Sequence, residues 1–230
     1  MDPQNLPAMV QEVRTRIARA AAAVGRSADS VTLLAVGKAQ PLELLAAAAD
    51  CGVTDFGENY LQEALEKVAA LRARALTWHF IGRIQANKTR TIAETFAWVH
   101  TLDRLKVAER LAAQRPAQAP ALNVCLQVNI AAEPSKGGVL PAEAPTLAAA
   151  VARLPHLTLR GLMCIPPEET EPARQRAWFA RLRLLRDELN AGGHRLDTLS
   201  MGMSGDFESA ISEGATIVRL GTALFGARPP

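Results

Sequence analysis

Eight short apolar runs punctuate this chain, with helical patterns between them, and no other feature narrows the choice of fold as far. The runs are Val31–Val36, Val53–Phe56, Thr77–Ile81, Trp98–Thr101, Leu122–Ile130, Leu157–Cys164, Asp197–Ser200 and Thr216–Leu220. They are short, rich in aliphatic and β-branched residues and bounded by turn residues, which is how buried parallel strands read. Apolar residues at three- and four-residue spacing fill the intervals Leu42–Cys51, Tyr60–Arg72, Asn87–Phe96, Arg104–Gln114, Ala142–Leu154, Pro172–Asn190 and Phe207–Ser212. Eight strand-like runs with helices interleaved predict an α/β protein, a single-domain (β/α)8 TIM barrel in preference to a doubly wound sheet. The 230 residues fit that fold, which typically takes about 250. An extra helix from Leu6 to about Val24 precedes the first strand, with Gly25 as its stop. Asp103 is expected to cap the helix beginning at Arg104, and Gly192-Gly193 to end the long helix before it. No stretch reads as a linker, so residues 1–230 are expected to form one domain.

Composition removes several classes of function. A net charge of +3 with scattered arginines gives no nucleic-acid footprint. Cys51, Cys125 and Cys164 lie far apart with no CxxC spacing, so neither a zinc site nor a disulfide framework is supported. His79 has no second histidine at ligand spacing, so no metal is expected. Met1-Asp-Pro-Gln-Asn lacks the marks of a signal peptide, and no apolar run has membrane-spanning length. A cytoplasmic protein that touches no membrane is the expectation.

In a barrel the ligand lies at the carboxyl ends of the strands, so those ends are where chemistry is sought. Val31–Val36 is followed at once by Gly37 and Lys38, and Pro41 opens the next helix. After the second run come Gly57, Glu58, Asn59 and Tyr60, with Asn59 and Tyr60 placed to overhang the mouth or Asn59 to cap the next helix. Alternation puts His79 and Ile81 on one face of the third strand, and Trp78 and Phe80 on the other. Gln85, Asn87 and Lys88 form a polar loop beyond it. Ser200-Met-Gly-Met-Ser204-Gly-Asp206 follows the seventh run and Arg219-Leu-Gly221-Thr222 the eighth. Glycines for close approach, hydroxyls and helix N-termini suit a phosphate monoester, and barrels often hold phosphate at those two loops. The first and eighth strands of a closed barrel are neighbours, so Lys38 and Arg219 would face one ligand. A lysine opposite a phosphate cradle suggests an aldehyde–phosphate cofactor held as an imine, namely pyridoxal 5′-phosphate.

Ala-Val-Gly-Lys38, Phe-Gly-Glu-Asn-Tyr60, Trp-His-Phe-Ile-Gly82, Gln-Ala-Asn-Lys88, Leu-Ser-Met-Gly-Met-Ser204, Val-Arg-Leu-Gly-Thr222 and Phe-Gly-Ala-Arg228 occur in order over nearly the whole chain. In these motifs the chain resembles the pyridoxal phosphate homeostasis protein family. The resemblance implies the barrel of bacterial alanine racemase standing alone, with Lys38 holding the cofactor in a Schiff base. It implies that Arg219 faces the pyridine nitrogen and that Ser204, Gly221 and Thr222 hold the phosphate; Asn59 and Ser200 complete the expected cofactor site. It further implies a non-catalytic protein that buffers or delivers pyridoxal 5′-phosphate, with apo-enzymes of that cofactor as expected partners; no partner surface is written in the chain, so a monomer is expected. The alternative is a pyridoxal phosphate racemase, for which Tyr60 is the one candidate second base. A phosphosugar enzyme using Lys38 is a third reading. Gly37 departs from the family's usual serine or threonine and is expected to leave the lysine less firmly oriented. Gly205 and Arg83 stand at variable positions.

Overall fold

Thr32 to Val36 stays extended because its aliphatic side chains have apolar partners on both faces, the barrel interior on one side and helices on the other. This is β1 (Thr32–Val36). It is followed by β2 (Asp55–Glu58), β3 (Thr77–Phe80), β4 (Trp98–Leu102), β5 (Leu122–Gln127), β6 (Leu157–Met163), β7 (Thr198–Ser200) and β8 (Ile217–Leu220). The computed structural model describes residues 3–226, so Arg228 of the last motif lies outside the described residues. Each strand pairs in parallel with the next, and β8 returns to β1, closing an eight-stranded barrel. The (β/α)8 expectation is met.

Between and around the strands run α1 (Leu6–Ala22), α2 (Leu42–Asp50), α3 (Leu61–Ala70), α4 (Thr89–Thr95), α5 (Leu105–Gln114), α6 (Ala144–Val151), α7 (Pro172–Ala191), α8 (Phe207–Ser212) and α9 (Thr222–Phe225). Helix α1 is the extra N-terminal element. Leu6, Val10, Val13 and Ile17 form its buried stripe, and it packs on α2, α8 and α9. Burying each such side chain is worth about 1.5–3 kcal/mol. Gly25 takes φ +70° just past the helix end, and Gly193 does the same after α7 at φ +100°.

Several boundaries differ from the sequence reading. The second strand begins at Asp55 rather than Val53 and runs on through Gly57 and Glu58, because Gly57 pairs with both Val36 and His79. The fifth ends at Gln127 rather than Ile130. There Val128 bridges to Val139 of the returning loop, and the Asn129 amide donates to the Glu133 and Lys136 carbonyls. Asp103 does not cap α5, whose cap is Arg104; its carboxylate instead accepts from the Arg104 guanidinium at 3.0 Å. Helix α9, four residues long, was not expected.

The strands present two surfaces. Outward, Phe56, Trp78, Phe80 and Phe96 pack together beneath the helices. Inward, Leu34 and Ile81 share the barrel with His79, His100, Ser200 and Arg219. Branched aliphatic residues dominate most barrel interiors, so this polar layer calls for a reason.

Candidate functional site

Lys38 sits in a turn, two residues beyond β1. The Gln40 N–H donates to the Gly37 carbonyl at 3.0 Å, closing the four-residue turn, and Ala39 in its third place has φ +56°. A turn with positive φ there normally carries glycine, so an alanine stores strain, as functional loops often do. The register Val36↔Gly57, extended by the Gly37 N–H bond to the Gly57 carbonyl, brings Lys38 level with Asn59 on one side. On the other side Ala35 pairs with Leu220, and Gly221 packs on Val36.

The turn is tied down from outside. Lys67 Nζ donates to the Gly37 carbonyl at 2.7 Å and to Glu58 Oε1 at 3.0 Å, and Lys67 also pairs with Glu63. Glu63 in turn accepts the Ala39 N–H at 2.7 Å. The backbone on either side of Lys38 is therefore held by one helix, α3. Glu58 is fully buried, and desolvation pushes its carboxyl up to about 7 against the pull of Lys67 and Lys38. A Cβ at Gly37 would collide with Glu58 Oε1 and stand 2.9 Å from Leu45 Cδ2. The glycine does not leave the lysine loosely held, contrary to the sequence expectation: its missing side chain is the room that Glu58 occupies, and the Lys67–Glu63 clamp fixes the backbone.

Arg219 lies inside the barrel on β8, level with Leu34. It is 5% exposed, and no carboxylate among the described residues lies within salt-bridge distance. It donates instead to Ser200 Oγ at 2.8 Å and to the Cys164 carbonyl at 2.9 Å. A guanidinium has five N–H donors and remains charged, and a buried charge without a counter-charge is costly. Such a site favours an electron-rich ligand group. Ser200 is fully buried, with its hydroxyl already engaged by Arg219 and, at 2.7 Å, by His100. It supports Arg219 from beneath.

The strand pairing runs past the end of β7, because Met201 N–H donates to the Ile217 carbonyl and Arg219 N–H to the Gly202 carbonyl. Gly202 has φ +94°, and a Cβ there would meet Ala210 at 2.7 Å. The following turn places Ser204 so that its Oγ accepts the Ala223 N–H at 3.1 Å, joining the loop after β7 to the first turn of α9. The Ser204 proton is left to donate. Gly221 heads α9 and Thr222 is its first residue, exposed at the mouth. Asn59 does not cap α3, whose cap is Tyr60, and Asn59 Oδ1 is buried without a hydrogen-bond partner. Asn59 and Tyr60 wall a cleft of about 380 Å³ with Gly82, Arg83, Gln85 and Lys88, while Asn87 lies outside its lining. Tyr60 is 62% exposed.

Of the expected site residues, the fold gathers Lys38, Ser204, Arg219, Gly221 and Thr222 onto adjacent strand ends, with Asn59 alongside and Ser200 one layer below. Sequence reasoning missed Glu58, Glu63, Lys67 and His100. The four-residue spacing of Glu63 and Lys67 was legible but reads as an ordinary surface pair. His100 follows Trp98 by two residues on β4, and Trp98 pairs with His79, so the two histidines meet only once the strand register is known.

The family model described as the alanine racemase N-terminal domain matches residues 10–229. The chain is 59% identical over 219 residues to the pyridoxal phosphate homeostasis protein of Pseudomonas aeruginosa, covering 95% of this chain and 94% of the relative. It is 50% identical to the protein of that name in Escherichia coli K12, covering 94% of each. Among solved structures, PipY of Synechococcus elongatus with PLP bound superposes with a TM-score of 0.80 at 37% identity, covering 91% of this chain and 100% of that one. Alanine racemase from Corynebacterium glutamicum shares the fold, with a TM-score of 0.69 at 17% identity over 94% of this chain and 61% of the racemase.

Proposed function

The chain belongs to the alanine racemase N-terminal domain family, and from that premise we propose that it binds pyridoxal 5′-phosphate on Lys38 and stores or hands on the cofactor. The observation that carries this reading is Arg219, a buried cation without a carboxylate partner, on the strand beside the one that delivers Lys38. The relatives named as pyridoxal phosphate homeostasis proteins, and the relative solved with PLP, agree with it.

The residues present fit the group. The cofactor supplies an aldehyde that bonds reversibly to an amine, together with a phosphate and an electron-rich ring nitrogen. Lys38 offers the amine from a backbone fixed by Lys67 and Glu63. The Ser204 hydroxyl and the Gly221-Thr222 backbone would hold the phosphate, and Arg219, steadied by Ser200, would face the ring nitrogen. Asn59 follows β2 level with Lys38 in register, and its Oδ1 is buried without a hydrogen-bond partner.

A permanent cation at the ring nitrogen discourages its protonation and so weakens the ring as an electron sink. Tyr60, exposed at the head of α3, does not favour the racemase alternative. On this reading the protein is a one-domain cytoplasmic monomer that trades the cofactor with apo-enzymes without turning over a substrate. No described helix is long and apolar enough to cross a membrane.

The test is to load the protein with pyridoxal 5′-phosphate, reduce with borohydride, and locate the label by mass spectrometry. The label is expected on Lys38 and is lost in Lys38→Ala. A label elsewhere, or one indifferent to that substitution, overturns the assignment. Racemisation of alanine at enzyme-like rates would overturn the carrier role.

A further inference from the structure

We propose that Asp55, at the base of the barrel, orients Arg219 through a one-way chain of hydrogen bonds that fixes His79 and His100 as neutral Nε2–H tautomers. The inference rests on reading Arg219 as part of the cofactor site. It adds three positioning residues that do not reach the mouth.

The direction of the chain follows from donor and acceptor inventory. Arginine can only donate, so Arg219 Nη1 gives a proton to Ser200 Oγ at 2.8 Å. The Ser200 hydroxyl proton then has His100 Nδ1 as its acceptor, at 2.7 Å. A bare Nδ1 places the His100 proton on Nε2, which faces His79 Nδ1 at 2.9 Å. His79 must likewise carry its proton on Nε2, which meets Asp55 Oδ1 at 3.0 Å. Asp55 Oδ2 accepts from the Thr54 hydroxyl at 2.7 Å. Every link has one donor and one acceptor.

Reversing the chain would need a protonated Asp55, but its hydrogen bonds and the neighbouring histidine hold that carboxyl below its usual range despite burial. Protonating either ring would add a second buried cation near Arg219. Desolvation favours the neutral form of both rings, and the positive charge of Arg219 presses His100 the same way. Trp98 stacks on the face of His79 with ring centroids 5.5 Å apart.

The chain therefore runs from an anion at the base to a cation near the mouth through four hydrogen bonds. Chains aligned in one sense polarise each other and strengthen. That links Arg219 to a distant anion through bonds and leaves its remaining donors unpaired by any carboxylate, while Asp206 acts on it only through space. A carboxylate placed beside it would cancel the positive charge a ligand meets.

Nitrogen-15 NMR of the imidazole rings decides the question in the full chain without cofactor. At neutral pH both His79 and His100, assigned with His79→Asn and His100→Asn variants, should show a protonated Nε2 and a bare Nδ1. An imidazolium or an Nδ1–H tautomer at either ring overturns the proposal. In Asp55→Ala the His79 proton loses its acceptor, so His79 should become a mixture of tautomers. Affinity for pyridoxal 5′-phosphate should then fall about fivefold, with Asp55→Asn between that variant and wild type. Unchanged affinity together with unchanged ring spectra in both variants overturns the positioning role. If Asp55→Ala does not fold, Asp55→Asn and the wild-type spectrum still decide. A wild-type protein that takes up no cofactor sinks the proposed function, while the ring spectra continue to decide the chain.

Discussion

Gly37 and Glu58 share one space, and the protonation of Glu58 follows from its burial there. The carboxyl is pressed against the backbone before Lys38, with Oε1 on Lys67 and Oε2 buried without a partner. Burial raises its pKa from 4.5 to about 7. The folded state thus keeps a proton that the unfolded chain releases, so this group's contribution is largest below pH 4.5 and declines as pH rises through 7. The decline is bounded at about 3–4 kcal/mol, taking 1.36 kcal/mol per unit. Denaturant unfolding at pH 5 and pH 8 should show wild type losing more stability across that interval than Glu58→Gln, whose amide does not titrate. Parallel pH dependences would refute the assignment. Lys38 was singled out from the sequence by its place after a strand and a glycine. Glu58 was not, because nothing local distinguishes a buried glutamate in a strand from an exposed one.

At the scale of elements, α3 does more than cover the barrel. Its pair Glu63 and Lys67, one turn apart, reaches across to both peptide groups flanking Lys38. Glu63→Ala frees the Ala39 N–H and the strained φ of Ala39 with it, while removing only a part-exposed side chain. Cofactor affinity by absorbance titration should weaken roughly tenfold, while thermal stability should change by about 1 kcal/mol or less. A larger loss of stability than of affinity would make Glu63 a structural residue only. Gly161 supplies the opposite case. A Cβ on it would run into the Thr198 carbonyl of the adjoining strand β7. Gly161→Ala should force β6 and β7 apart and destabilise by about 3 kcal/mol or more, read from the denaturation midpoint. The order and type of the elements were legible because hydrophobic period survives in sequence. The strand ends were not, because Gly57 and Val128 are decided by what the neighbouring strand or loop offers them.

For the whole molecule, barrel closure is what turns scattered residues into a site. Lys38 and Arg219 are separated by most of the chain, yet β1 and β8 are paired. Closure was legible from the count of runs, so the pairing of a lysine with a phosphate-type loop could be argued before the fold was known. The polar layer inside could not, since it depends on register across β2, β3, β4, β7 and β8. Because the site draws on both ends of the chain, occupying it should stabilise the barrel as a unit rather than one segment. A ligand at about a hundred times its dissociation constant adds about 2.7 kcal/mol, and each kcal/mol moves the melting temperature by about 2–4 °C at this size. Pyridoxal 5′-phosphate should therefore raise the wild-type melting temperature by about 5–10 °C in one cooperative transition. At the same cofactor concentration Lys38→Ala would keep the proposed contacts of Arg219, Ser204 and Thr222 but lose the proposed covalent bond, so its rise should be less than half as large. An equal rise in the two proteins would mean that the cofactor is held without Lys38, and the covalent part of the reading would fall.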